Sequence, residues 1–214
     1  VVSFTDSYVL NNDAAYDGGG IAVDQGHDQY DTLTIDGTSV SGNTAGFFGG
    51  GVHTSDSGGV TVVDSAVTDN AAGLGPEGGG SGGGLNVESL LGPLTVQNST
   101  VSGNTAEGGD GGGLRLGDDD SYQYDEGNAP VSITDSTFQN NTAEYDGGGI
   151  YVDDVEGDVT IARTSVTGNE VLDAKYDDGP NDDTFGRGGG VFIDGVTLLT
   201  GEGAAPAPAE VLIV

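Results

Sequence analysis

The sequence repeats itself, and this repetition constrains the fold more than any other feature. A Gly-Gly-Gly triplet followed by an aliphatic residue occurs six times, and the copies close at Ile21, Val52, Leu85, Leu114, Ile150 and Val191. Upstream of each triplet stands the pattern Ser/Thr-x-Val/Phe-x-x-Asn, which ends at Asn12, Asn43, Asn70, Asn104, Asn141 and Asn169. An alternating tripeptide, for example Leu33-Thr34-Ile35, precedes each of these patterns. Six linked copies indicate a chain of stacked, similar units.

Each motif predicts a short β-strand. Apolar residues occupy every second position with small or polar residues between them, and the 42 glycines exclude helix. After one triplet, Leu114 and Leu116 would face inward and Arg115 outward. Coils about 4.8 Å apart would bury a continuous aliphatic column. In the motif that contains Asn, this column would consist of Val9, Val40, Val67, Val101, Phe138 and Val166.

A coil of three such strands resembles the right-handed parallel β-helix. More narrowly, residues 138–141 (Phe-Gln-Asn-Asn) and 147–150 (Gly-Gly-Gly-Ile) are similar to the repeats of the polymorphic outer-membrane proteins, a family of surface adhesins and autotransporter passengers. The resemblance implies an all-β, right-handed parallel β-helix (solenoid) of about six coils with three short strands per coil, and it concerns architecture more than activity. We assign residues 1–202 to the six coils, and 203–214 to an Ala- and Pro-rich linker with a terminal strand.

The recurring Asn and Gly residues predict structure. An Asn at one fixed place in each coil favours a ladder in a turn, because Asn tolerates the left-handed conformation and its amide can bond to the equivalent amide one coil away. The ladder would comprise Asn12, Asn43, Asn70, Asn104, Asn141 and Asn169. The glycine triplets are typical of a corner that needs positive φ and close approach of the backbones of neighbouring coils.

The charge of the chain excludes some partners. There are 35 acidic residues against 4 Lys and Arg, so the net charge is −31. This charge excludes nucleic acid and anionic membrane surfaces as electrostatic partners, and no segment suggests direct insertion into a membrane. A large excess of Asp with a single Lys indicates a halophilic origin, because at molar salt the Debye length falls to about 3 Å and self-repulsion is screened.

Two acidic loops, 117–128 and 169–188, are candidates for calcium binding. They are the longest insertions between the motifs and are therefore expected at the side of the column. Ca²⁺ takes about six to eight oxygen ligands, and the loops offer Asp118, Asp119, Asp120, Asp177, Asp178, Asp182 and Asp183. The alternative is a solvated acidic surface. The sequence requires no cofactor, and calcium is the one cofactor for which it offers a set of ligands.

The sequence does not favour an enzyme. Several β-helix families cleave polysaccharides, and a lyase of that kind needs a basic residue beside carboxylates that hold Ca²⁺. The cations lie on different coils or loops, at Arg115, Arg163, Lys175 and Arg187. A hydrolase could use two carboxylates, such as Asp153 with Asp154 or Asp118 with Asp119, but adjacent acidic residues are typical of a surface. We therefore predict a protein without catalytic residues.

The terminal strand favours a structural role. Val211-Leu212-Ile213 has the phase of the first strand of a coil. Either the native chain continues into further coils, or this strand docks on a neighbouring subunit and the coils stack end to end. The self-assembly surfaces would then comprise Val1, Val2, Phe4, Val211, Leu212, Ile213 and Val214. We expect a rod that is a subunit of a self-assembling filament, a homopolymer joined end to end. The alternative is the stalk or passenger of an adhesin that binds a glycan or a surface protein through its long loops.

Such a rod would be extracellular or at the cell surface. Asn98, followed by Ser99 and Thr100, matches the N-glycosylation acceptor pattern, and so does Asn140. Glycosylation at these positions would suit a surface protein.

Overall fold

The chain forms a parallel β-solenoid in the computed structural model. The structure describes residues 1–24, 31–75, 79–117, 129–153, 155, 157–172, 186–194 and 211–213. Within these residues the secondary structure consists of 25 short strands in four parallel sheets, which we call sheets A to D. None of the described residues belongs to a helix of the length and apolarity needed to cross a membrane.

Sheet A is formed by the alternating tripeptides. Leu33 and Ile35 are buried and Thr34 points outward, because successive side chains of a strand face opposite sides. The sheet has seven strands: β1 (Val2–Thr5), β5 (Thr32–Asp36), β9 (Gly59–Val63), β13 (Leu94–Gln97), β17 (Val131–Thr134), β21 (Val159–Ala162) and β25 (Val211–Ile213).

Sheet B is formed by the motif that contains Asn, and the central residue of each strand faces the core. Its six strands are β2 (Tyr8–Leu10), β6 (Ser39–Ser41), β10 (Ala66–Thr68), β14 (Thr100–Ser102), β18 (Thr137–Gln139) and β22 (Ser165–Thr167). Sheet D follows the glycine triplets. Its six strands are β4 (Ile21–Asp24), β8 (Val52–Ser55), β12 (Leu85–Val87), β16 (Leu114–Leu116), β20 (Ile150–Val152) and β24 (Val191–Ile193).

Sheet C is a fourth strand per coil, so the expectation of three strands per coil was one strand short. Its six strands are β3 (Asp13–Ala14), β7 (Thr44–Ala45), β11 (Ala71–Ala72), β15 (Thr105–Ala106), β19 (Thr142–Ala143) and β23 (Glu170–Val171). A two-residue strand is too short to show a period of two in the sequence. Its inward side chain is the small residue Ala in five of six coils, and the apolar signal there is correspondingly weak.

The coils stack without a shift in register. Val67, for example, pairs with Val40 in the coil before it and with Val101 in the coil after it. Three sheets of six strands and one of seven therefore correspond to six coils plus one strand of a seventh, β25. The all-β solenoid of six coils predicted from the motifs is confirmed. Insertions fall between sheets C and D or between sheets D and A and leave the ladders undisturbed.

The core is a single column that runs through all coils. In its middle, Val40, Val67, Val101 and Phe138 are fully buried, whereas Val9 and Val166 at the two ends are only half-buried. The glycine triplets let the coils come this close. Gly111 has φ of 65°, and a Cβ at Gly112 would lie 2.5 Å from the carbonyl oxygen of Gly148 in the next coil. Only glycine fits such a corner without displacing the backbone.

Candidate functional site

The asparagines of the repeat form a continuous ladder along the stack. The backbone N–H and the side-chain Nδ2 of Asn43 both donate to Oδ1 of Asn70, over 3.0 and 2.9 Å. In return, Asn70 Nδ2 donates to the carbonyl oxygen of Val40, over 3.0 Å. The same amide contact joins every pair of neighbours from Asn12 to Asn169. The four middle rungs are buried, so their polar groups are satisfied within the stack.

The sequence predicted the left-handed conformation at the ladder residues themselves, and this prediction is wrong. The conformation falls one residue earlier, at Asn11, Gly42, Asp69, Gly103, Asn140 and Gly168. The ladder side chains must point into the core side of the turn, and the residue before them makes the turn itself. The prediction assigned both tasks to one residue because both favour Asn.

A second polar ladder runs parallel to the first and was missed in the sequence. It is formed by the hydroxyl residue that opens each Asn-containing motif. The backbone N–H of Thr38 donates to Ser65 Oγ, and the N–H of Ser65 donates to Ser99 Oγ, each over 3.1 Å. The same contact links every neighbour in the row Ser7, Thr38, Ser65, Ser99, Ser136 and Thr164. The invariant Ser/Thr of the motif was the available signal.

Both ladders run in one direction, so the two ends of the solenoid are chemically different. At the amino-terminal end, the Oδ1 of Asn12 and the Oγ of Ser7 accept no hydrogen bond from any described residue. At the carboxy-terminal end, the backbone N–H groups of Thr164 and Asn169 donate to none within the same part of the chain. One end therefore presents acceptors at the positions where the other presents donors.

The predicted self-assembly residues lie at these two ends. Val1 is 86% exposed, and Val2 and Phe4 are half-buried on the first coil. The backbone of β25 pairs with β21 on the last coil, with Val211 opposite Val159 and Ile213 opposite Ile161. The strand thus takes the position of the first strand of a coil, as its sequence predicted, and Leu212 pairs with Thr160. Val214 lies outside the described residues.

The turn after sheet B alternates from coil to coil. Its residues are Asn or Asp in the first, third and fifth coils and glycine in the others. Each Asn or Asp fills the space over the glycine that follows it in the stack. A Cβ at Gly42 would lie 2.6 Å from Asn11 Oδ1, and a Cβ at Gly168 would lie 2.6 Å from Asn140 Oδ1. The stack therefore has a two-coil period here, and its last coil ends on a glycine.

In the turn after sheet A, acidic residues of neighbouring coils are never adjacent along the stack. Its row is Asp6, Gly37, Asp64, Asn98, Asp135 and Arg163, all with positive φ. Every acidic residue has neutral or cationic neighbours along this row. Asn98 Nδ2 donates to Asp64 Oδ1, and Arg163 binds both carboxylate oxygens of Asp135, over 2.6 and 2.8 Å. The hydrogen bonds from Arg163 lower the pKa of Asp135.

The outer face of sheet D is the second candidate surface, and its residues differ in every coil. The outward row in register is Ala22, His53, Asn86, Arg115, Tyr151 and Phe192. The corresponding row on sheet A is Ser or Thr in all six coils, and only the seventh described strand, with Leu212, departs from it. Two of the three Arg residues and the His that the structure describes lie on this face or at its edge. The sequence predicted that Arg115 points outward, but it gave no indication of which residues of neighbouring coils touch it.

Polar contacts connect the middle of this face, although it lies outside the core. Asn86 is fully buried, and its Nδ2 lies 3.1 Å from His53 Nδ1 and donates to Glu88 Oε1 over 2.8 Å. Arg115 pairs with Glu88 over 3.3 Å, and both side chains are only 12% exposed. The ring of Phe48 stacks on His53 with centroids 6.3 Å apart. This charge pair is well shielded from water and joins two neighbouring coils.

An aromatic pair continues the face into the last two coils. The rings of Tyr151 and Phe192 stack at 5.4 Å, and the guanidinium of Arg187 lies 4.3 Å from the Phe192 centroid. Arg187 also donates to Asp146 Oδ2 over 2.9 Å. The Tyr151 hydroxyl donates to Asp153 over 2.9 Å, and burial together with this carboxylate raises the pKa of Tyr151 above its usual range. Tyr151 therefore stays neutral in ordinary conditions.

Asp110 lies at the edge of the same face, and its carboxyl is affected both by burial and by neighbouring charges. Burial raises its pKa, and the neighbouring charges of Asp146 and Asp153 add to this effect. The backbone N–H of Asp146, which donates to Asp110 Oδ1 over 2.9 Å, and the charge of Arg115 act in the opposite direction. The face thus combines a shielded cation, a stacked aromatic pair and a partly buried carboxyl whose pKa is raised.

The remaining predicted site residues lie elsewhere. All seven candidate calcium ligands, Asp118, Asp119, Asp120, Asp177, Asp178, Asp182 and Asp183, lie outside the described residues. Within the part of the chain that is described, no cluster of three or more His, Asp or Glu side chains is arranged to hold a metal ion. Asn98 and Asn140, the glycosylation candidates, are exposed on the turns after sheets A and B.

Comparison with known families agrees with this architecture. Residues 2–197 match the family described as a right-handed beta helix region. The chain belongs to the right-handed β-helix family. This match supports the right-handed coil that the resemblance implied. The narrower similarity to the polymorphic outer-membrane proteins stays a resemblance of motifs. A search of curated proteins gave no match, and a search of solved structures gave none either.

The family fits a structural or surface-type repeat protein. Right-handed β-helices also occur in polysaccharide-cleaving enzymes of the pectate lyase type, so membership does not decide whether this β-helix is catalytic. Of the proposed catalytic carboxylates, Asp153 contacts Tyr151, and Asp118, Asp119 and Asp154 lie outside the described residues.

Proposed function

We propose that this β-helix is a structural rod outside the cell or at the cell surface, and that it forms filaments in which one copy stacks head to tail on the next. The observation that supports the proposal is the chemical complementarity of the two ends. One end carries unused acceptors in two polar ladders, and the other carries unused donors in the same ladders. Asn12 is exposed in a single copy, and Ser7, Thr164 and Asn169 are half-buried. Stacking would bury these groups, and the second copy would supply the partners that buried polar groups need.

The contacts at such a junction follow from the contacts inside the stack. The first coil of one copy would lie on the sixth coil of another, with Asn12 as the next rung after Asn169. Asn169 would donate to Asn12 Oδ1, as Asn43 does to Asn70. Thr164 N–H would donate to Ser7 Oγ, as Ser65 N–H does to Ser99. The junction would then repeat an interior coil boundary.

The turn rows fit the same arrangement. Because six coils are an even number, Asn11 of the second copy would follow Gly168, as Asn140 follows Gly103 within the stack. Asp6 of the second copy would follow Arg163, which places a carboxylate beside the guanidinium at the junction. Two mismatched ends would have broken the two-coil alternation or brought like charges together.

Apolar surface would drive the association. Val2, Phe4 and Val9 at one end, and Val166 and Val191 at the other, are half-buried and pack against the core column. Tyr8 is 79% exposed on the first coil, at a position where the other coils of sheet B carry Ser, Thr or Ala. Covering apolar area of this kind stabilises by about 25 cal/mol per Å².

The test uses two variants that each block one end. Val9→Asp places a charge in the amino-terminal end of the column and Val166→Asp in the carboxy-terminal end. Electron microscopy and analytical ultracentrifugation in molar salt should show filaments for the native sequence and none for either variant. Mixing the two variants should give dimers that do not grow, because each retains one intact end. Thr137→Asp, on the outer face of sheet B in the fifth coil, is the control and should still form filaments.

Two results would contradict the filament. Native protein that stays monomeric at high concentration has no head-to-tail association. Filaments that persist in both end variants must be joined through another surface. Repeating the assay with a chelator tests whether Ca²⁺ contributes to assembly. Comparing assembly in molar and in dilute salt tests the halophilic origin, because repulsion within a chain of net charge −31 is screened only at high salt.

A second candidate role is an adhesin that binds a glycan or a surface protein. The observation that favours it is the outer face of sheet D, where Arg115, Tyr151 and Phe192 stand in one row among carboxylates. Aromatic rings and fixed hydrogen-bonding groups are the usual contacts for such ligands. Binding to a glycan array that is lost in Phe192→Ala and kept in Thr95→Ala would support this role. No binding by the native protein would leave the face structural.

A further inference from the structure

The last strand occupies the position that a second copy would need. β25 pairs in parallel with β21, with Val211 opposite Val159 and Ile213 opposite Ile161. β1 has the same place in its own coil, where Val2 lies opposite Leu33 and Phe4 opposite Ile35 of β5. In sheet A, β25 therefore stands where β1 of the next copy would stand in a head-to-tail stack.

The other sheets are not extended in this way. Sheets B, C and D end at β22, β23 and β24, and no described strand pairs with these on the side away from the stack. Sheet A has seven strands and the others six. The carboxy-terminal end is thus a step, and a flat first coil can add all four of its strands only if β25 leaves β21.

We propose that β25 is an intramolecular cap that competes with β1 of a second copy for β21. This inference rests on the head-to-tail stacking proposed above and concerns its regulation. β25 is tethered to its own solenoid, so its local concentration favours it when the protein is dilute. β1 of an incoming copy offers four paired residues against three, and it brings three further strands and both polar ladders with it. Assembly therefore requires a threshold concentration set by the cap.

The experiment weakens the cap in the full chain. Consecutive N–H groups of a strand point to opposite sides, so Val211→Pro/Leu212→Pro removes at least one donor that faces β21. The critical concentration for filament formation, measured by light scattering and pelleting in molar salt, should fall by about tenfold, and the lag before growth should shorten. Ala205→Pro adds a proline to the linker outside β25 and is the matched control; it should assemble as the native protein does.

A second measurement keeps the inference testable if the double proline variant folds poorly. A synthetic peptide of residues 209–214, added to growing filaments of the native protein at about the mM effective concentration of a tethered strand, should compete with the incoming β1 for β21 whenever β25 has left it, and should slow elongation. Thermal unfolding and circular dichroism of each variant establish that the solenoid is intact.

The outcomes separate the cap from the filament itself. If the double proline variant assembles less than the native protein, β25 joins copies instead of capping them, and the inference is overturned while the filament stands. If the two assemble equally, β25 has no role in assembly and the inference is again wrong. If neither assembles at any concentration, the proposed filament fails and the cap fails with it.

Discussion

The inner column of sheet B and the outer row of sheet D experience opposite constraints. Inside, five of the six positions are Val and the sixth is Phe138, whereas outside no residue type occurs twice. The inner residues repeat because each must fill a similar space against the side chains of the adjacent coils. The outer residues are free of that requirement and include Arg115, Tyr151 and Phe192, the side chains that we propose as ligand contacts in the adhesin alternative. A repeat protein can thus keep one face constant for stability and vary another for binding.

The largest effect is expected from one added methyl group in the glycine corner that precedes sheet D. Gly112→Ala would place Cβ against the backbone carbonyl oxygens of Thr142 and Gly148, which cannot move without shifting the next coil. We expect this variant to lose more stability than the other variants proposed below, by more than about 3 kcal/mol, or to fail to fold. Gly117→Ala, whose Cβ would lie 3.4 Å from the nearest atom, should unfold in denaturant close to the native midpoint. Equal midpoints for the two would refute the close approach of the coils.

The next effect concerns a middle rung of the Asn ladder. Asn104→Ala removes the acceptor for Asn70 N–H and Nδ2 and the donor to the Val67 carbonyl, all buried. Leaving such groups without partners should cost about 3 kcal/mol in the free energy of unfolding. Gln139→Ala, on the outer face of sheet B, is the control and should cost less than about 0.5 kcal/mol. A ladder variant as stable as the control would mean that water replaces the amide.

The smallest effect is expected on the variable face, and it depends on pH. The pKa of Asp110 is raised chiefly by burial, so its ionised form is less favourable in the folded state than in the unfolded state. Its contribution to stability is present below the ordinary carboxyl pKa and is lost as pH rises through the higher folded value. Asp110→Asn should therefore stabilise at neutral pH, by less than about 1 kcal/mol, and have no effect in acid.

Asp135 provides the control of opposite sign. Its pKa is lowered by Arg163, so its contribution is present above the ordinary carboxyl pKa and is lost as pH falls through the lower folded value. Asp135→Asn should slightly destabilise at neutral pH and do nothing in acid. Thermal midpoints measured from pH 3 to pH 8 would compare both variants. A destabilised Asp110→Asn at neutral pH would show that hydrogen bonding from Asp146 outweighs burial.

The sequence predicted the parts of the fold that depend on repetition. Six Asn, six glycine triplets and six alternating tripeptides specify the number of coils and the inward residues, because each coil must match its neighbours. Sheet C was missed since two residues carry no detectable period. The hydroxyl ladder was missed since a Ser at a turn is common, and only the stacked structure shows that Ser65 and Ser99 bond to one another.

The sequence by itself determined a stacked solenoid with a constant interior, a strongly acidic surface and candidate ends. Only the tertiary structure decided which distant residues meet. His53 and Asn86, 33 positions apart, become neighbours because the coils stack in register, and Arg115 and Glu88 form a shielded pair for the same reason. The length of each loop is variable, so spacing along the chain does not give distance in space. Contacts between coils depend on register, and register is set by the packing of the column as a whole.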